Sequence, residues 1–85
     1  MRIRVEDLSS EIKNIVRALI KEHLVKEMGY CPLASEEGLI KEHITPELCE
    51  IAKKRITDYY EQELGFSVEC NISEQEFVLI YLNRV

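Results

Sequence analysis

Three cysteines and two histidines are the residues of this chain best suited to chemistry, and zinc binding is the first chemistry their types suggest. A structural zinc site draws its thiolates and imidazoles from closely spaced pairs, because one tight turn can then aim both ligands at one ion. Cys31, His43, Cys49 and Cys70 contain no such pair; they fall in a loop, near a helix cap, on a helix and on a strand. Cys49 and Cys70 also lie on apolar faces, where a free cysteine packs as a small hydrophobe. No metal and no cofactor is expected. Nucleophilic catalysis would need Cys31 with His43 as its base and a third group to orient the imidazole. No glycine-rich shell or elbow accompanies that pair, and Cys31-Pro32 reads as a turn. His23 sits at the edge of an apolar stripe, where a boundary histidine hydrogen-bonded to backbone is expected. The carboxylate pairs Glu36/Glu37 and Glu61/Glu63 show no sign of the burial that would separate their pKa values. The chain reads as non-enzymatic.

Charge is the other resource. Lys13, Arg17 and Lys21 recur every four residues and form a basic stripe on the outer face of a first helix, a site for an acidic protein surface or a short stretch of nucleic acid. Lys53, Lys54 and Arg55 are consecutive, so they fan around their helix and make no single patch. On that same second helix Glu47, Glu50, Asp58 and Glu61 form an acidic outer face, which would suit a basic groove on a partner. The net charge of -5 is uneven: residues 1–30 hold six Lys/Arg against five Asp/Glu, and residues 31–85 hold five against eleven. That balance opposes broad phosphate-backbone binding and attraction to anionic membranes. An odd number of widely spaced cysteines, with no apolar leader and no run of about 20 apolar residues, points to a cytoplasmic protein.

The elements that must carry these residues follow from period and punctuation. Residues 1–6 alternate and read as an edge strand with Met1, Ile3 and Val5 on one face. Asp7 as cap and Gly29 as stop predict a helix over 8–28, burying Leu8, Ile12, Ile15, Val16, Leu19, Ile20 and His23. Residues 29–38 are aperiodic and read as a connection, with one helical turn nucleated near Ser35. Thr45-Pro46-Glu47 supplies a capping hydroxyl, a proline suited to the first turn and an acid suited to the helix dipole. It predicts a second helix over 46–64 that ends at Gly65 and buries Leu48, Cys49, Ala52, Ile56, Tyr59 and Tyr60. Residues 66–72 alternate with period two as a half-exposed strand, and 73–76 read as a polar turn. Residues 77–82 are apolar on both faces and rich in strand formers, which predicts the central strand of the sheet.

The fold expected is therefore one α+β domain over 1–85: a small three-stranded antiparallel sheet, order strand-helix-helix-strand-strand, with two long amphipathic helices on one face. Such a sheet would expose Val78, Ile80 and Leu82 as an apolar ridge for self-association as a homodimer. The functional expectation is a small acidic interaction module, a regulator or inhibitor of a larger protein partner, docking through Glu47, Glu50, Asp58 and Glu61. A winged-helix-like nucleic-acid binder is the alternative, using Lys13, Arg17, Lys21, Lys53 and Lys54, but its helices would be too long and its wing turn, Ser73-Glu74-Gln75-Glu76, is acidic where a wing meets phosphate. A zinc or cysteine site around Cys31 is the third reading.

Overall fold

A computed structural model describes all 85 residues and shows four α-helices with only a two-stranded parallel sheet, so the expected three-stranded antiparallel sheet is not formed. The order is β1 (Arg2–Ile3), α1 (Ser10–Met28), α2 (Glu37–His43), α3 (Pro46–Leu64), β2 (Glu69–Cys70) and α4 (Glu74–Tyr81), with short 3-10 turns before α1 and α2.

The second predicted helix is realised as α3 with the expected ends. Thr45 Oγ1 accepts the Leu48 N–H at 3.2 Å, Pro46 stands in the first turn, and Gly65 closes the helix with φ 79°. Leu48, Cys49, Ala52 and Ile56 are buried, while Tyr59 and Tyr60 are half-buried. The Tyr60 hydroxyl donates to the Asp7 carbonyl at 3.0 Å and accepts the Ser9 N–H at 3.3 Å, which ties the end of α3 to the start of α1.

The first predicted helix keeps its stop at Gly29 (φ 80°) but starts later than expected. Asp7 is occupied elsewhere: its carboxylate accepts the Arg4 N–H at 2.9 Å and closes the turn Val5–Asp7. Ser9 is the cap instead, accepting the Ile12 N–H at 3.3 Å. Ile12, Val16, Ile20 and Leu24 form the buried row of α1, one every four residues, while Ile15, Leu19 and His23 lie on its flank, half-buried.

The largest correction concerns residues 73–82. They form α4, not a turn and a central strand. Ser73 Oγ accepts the Glu76 N–H at 3.2 Å while the Glu76 carboxylate accepts the Ser73 N–H at 2.9 Å, a reciprocal box that satisfies donors a helix start otherwise leaves open. The apolar run that follows has no polar face because α4 is wedged among α1, α2 and α3 and is enclosed on most sides. Phe77, Val78 and Ile80 are buried there. With that segment helical, the sheet has no centre: only Arg2–Ile3 and Glu69–Cys70 remain, joined in parallel by Glu69 N–H to Met1 O at 2.9 Å and Asn71 N–H to Ile3 O at 2.8 Å. One cluster of 16 buried residues, apolar apart from the Cys49 thiol, draws on β1 and all four α-helices, and Cys70 of β2 packs against it.

Candidate functional site

The basic stripe is the feature of the sequence that the structure places along a concave surface. Lys13, Arg17 and Lys21 do not stand on a free outer face. They line two adjoining depressions, of about 370 and about 130 Å3, that run along the flank of α1 beside the C-terminal end of α4. Pro32, Ala34, Tyr81 and Leu82 supply the facing wall of the larger one. No Asp or Glu side chain lines either depression.

Arg17 holds the two walls together. Its Nε donates to the Ile80 carbonyl at 2.8 Å and one terminal nitrogen donates to Asn83 Oδ1 at 2.9 Å, while the other bonds Asn14 Oδ1. The guanidinium thus adds a second bond to the Ile80 carbonyl, which already accepts the Asn83 N–H at 3.1 Å, and sets a cation at the end of α4 where the helix dipole favours one. Its acceptors are neutral, so the positive charge is retained in the groove. Lys13 and Lys21 form no ion pair within the chain.

Tyr81 seals the wall. Its hydroxyl donates to the Pro32 carbonyl at 3.4 Å and lies 3.5 Å from Cys31 Sγ. Burial, and then the contact with Cys31, pushes the phenol up to about 12, so it stays neutral and adds no negative charge to the groove. Arg84 extends this end of the molecule by pairing with Glu37 at 3.1 Å.

The remaining sequence candidates are dispersed. Cys31 contacts Tyr81, and His43 Nδ1 lies 2.8 Å from the Leu39 carbonyl of its own helix, so the two do not form a nucleophile and base. No group of three or more His, Cys, Asp or Glu side chains converges. Burial, reinforced by Glu74, pushes the Cys49 thiol up to about 11, and burial raises Cys70 as well, which keeps both as uncharged thiols.

The acidic face of α3 is largely engaged by its own chain. Glu50 pairs with Lys53 at 3.6 Å and Asp58 with Lys54 at 3.1 Å, while half-buried Glu61 accepts the Val68 N–H at 3.0 Å. Of the four acids, Glu47 alone is left without a partner. The same pairs occupy Lys53 and Lys54, the cations that a nucleic-acid-reading α3 would need. The apolar ridge expected from Val78, Ile80 and Leu82 is absent: Val78 and Ile80 are core residues and Leu82 belongs to the groove wall.

A second groove lies on the other flank of α1, toward α3, with a volume of about 330 Å3. Its floor is Leu19 and Leu48, and its margin holds Glu22, Lys26 and Arg55. Ile51 projects there with 56% of its surface exposed. His23 faces this groove half-buried, and its Nε2 is buried with no hydrogen-bond partner, so the expected bond to backbone is not made by that nitrogen.

Sequence reasoning missed the wall of the basic groove, because it placed 77–82 in a sheet. The Ser73-x-x-Glu76 spacing was the signal that could have found it. Nothing local marks Arg17 as the residue that reaches Ile80. No family model, curated protein or solved structure matches this chain. No helix is long and apolar enough to cross a membrane.

Proposed function

We propose that the protein is a small non-enzymatic interaction module that seats a short acidic segment of a larger protein partner in the groove between α1 and α4. One observation carries this reading. In a chain of net charge -5, Lys13, Arg17 and Lys21 are gathered along two adjoining depressions with no carboxylate side chain among the lining residues. Positive side chains of one sign in a concave site attract an acidic segment, speed its encounter and fix its orientation. Leu82, Pro32 and the body of Tyr81 add apolar area against which a segment's hydrophobic side chain can pack.

The contact surface thus moves from the acidic face of α3 to the cationic flank of α1, since most of the α3 acids are already bonded at home. A regulatory role fits a module of this size whose contact surface is a small groove, and the three free thiols support a cytoplasmic setting. Nucleic acid is the less favoured occupant, because three cations release few counterions.

The test is a titration of a fluorescein-labelled peptide of alternating Glu and Leu, followed by anisotropy. Binding should weaken at least about tenfold in the double variant Lys13→Glu, Lys21→Glu, and should fall as salt shortens the Debye length to about 8 Å or less. Equal binding by that variant would overturn the reading, as would a single-stranded oligonucleotide binding more tightly than the peptide.

A further inference from the structure

The groove between α1 and α3 differs in kind from the basic one and points to a different occupant. Its margin carries both signs: Glu22 and Lys26 from α1 and Arg55 from α3. None of these three takes part in an ion pair within the chain, although Lys53 and Lys54, next to Arg55 in sequence, both do. Between them stands Ile51, more than half exposed at 56%, above the apolar floor of Leu19 and Leu48. The floor also holds His23 Nε2, a buried polar atom that its own chain leaves unsatisfied.

We infer that this face binds a second copy of the same chain, as a two-fold dimer in which α1 and α3 of one protomer lie across α1 and α3 of its partner. Charge complementarity selects that occupant. A two-fold interface brings a patch against itself, so it requires that the patch hold its own counter-charges. A margin with Glu22 on one helix and Arg55 on the other meets that requirement, because rotation about the axis sets each Glu22 opposite an Arg55. The cationic groove fails it, since three like charges would face three more. Ile51 then sits near the axis, where two copies of one exposed side chain each enter the other's groove and leave water. An exposed apolar residue ringed by unpaired charges is the usual anatomy of an interface centre with a polar rim. This inference does not depend on the peptide site, which lies on the opposite flank of α1.

Sedimentation velocity over a concentration series reaching about 1 mM reads the outcome directly. The wild-type chain should shift from monomer to dimer mass. Ile51→Glu should raise the dissociation constant at least about thirtyfold, the effect of losing a central anchor. Far-UV circular dichroism should remain unchanged, because the site is exposed and Glu is a good helix former. Glu22→Arg and Arg55→Glu should each weaken the dimer, and the two combined should restore it. A wild-type chain that stays monomeric throughout, a dimer unmoved by Ile51→Glu, or a double charge variant no tighter than its singles would overturn the inference.

Discussion

The two flanks of α1 are built from the same helix and face opposite problems. On the α4 side its residues Lys13, Arg17 and Lys21 meet neutral and apolar groups, while on the α3 side Glu22 and Lys26 meet Arg55. The larger depression of the basic groove and the mixed groove are of similar volume, about 370 against about 330 Å3, so size does not separate them. Sign does. A groove of one sign selects something unlike itself, whereas a groove of both signs can accept its own image. A helix of 19 residues exposes enough of its circumference to serve both, because its buried row is a narrow four-residue ladder.

The sharpest way to break this comparison uses two isoleucines. Ile80 is fully buried behind the wall of the basic groove, and Ile51 is exposed in the mixed one. Ile80→Ala should cost about 2–5 kcal/mol of folding free energy, the loss of a packed side chain plus the cavity it leaves. Ile51→Ala should stay within about 0.5 kcal/mol when measured on the monomer. Urea denaturation at low protein concentration compares them. If the two losses are equal, the division into a core-backed wall and an exposed contact is wrong.

Arg17 sharpens the comparison at an intermediate scale. Its bonds to the Ile80 carbonyl and to Asn83 make it part of the scaffold as well as of the groove. Arg17→Met keeps much of the packed stem and removes the charged donors, so it should cost about 1.5–3 kcal/mol in the same denaturation measurement. Lys13→Met and Lys21→Met, which remove the same charge without any bonded acceptor, should each change stability by no more than about 0.5 kcal/mol. A stability loss for Lys21→Met matching that of Arg17→Met would show that Arg17 is only another surface cation.

The contrast between α3 and α4 explains how much of this could be read in advance. Everything that defines α3 lies within its own span: Thr45 and Pro46 at one end, Gly65 at the other, and an apolar row of period 3.6 between them. Local signals of that kind survive translation into structure. In α4 the periodicity is uninformative, because Phe77-Val78-Leu79-Ile80-Tyr81-Leu82 is apolar throughout, and a short buried helix and a buried strand then look alike. β-branched and aromatic residues tilt such a run toward strand, while enclosure by three helices decides for helix, and enclosure is a property of the whole fold. Misplacing that segment invented a sheet centre and hid the wall that turns the basic stripe into a groove. The two partners of Arg17 across the groove, Ile80 and Asn83, more than 60 residues away in sequence, were beyond any local signal, as was the parallel pairing of Arg2–Ile3 with Glu69–Cys70.

One local signal in the misread region did point the right way, and it yields the smallest effect worth measuring. Ser73 and Glu76 have the spacing of a capping box, and each bonds the other's backbone N–H. If that box helps set residues 74–81 as a helix, Ser73→Ala should lower stability by about 1 kcal/mol, and Ser73→Asp should recover most of it, because an aspartate carboxylate accepts the same N–H and suits the helix dipole. Enclosure should hold α4 helical in both variants, so the far-UV spectrum stays the same and only the urea midpoint moves. The basic groove then keeps its wall, and peptide affinity at the Lys13–Lys21 flank should be unchanged within error. A Ser73→Ala chain that loses helical signal would mean that the cap, and not the packing of Phe77 and Ile80, decides the conformation of α4, and the wall of the groove would then rest on two residues.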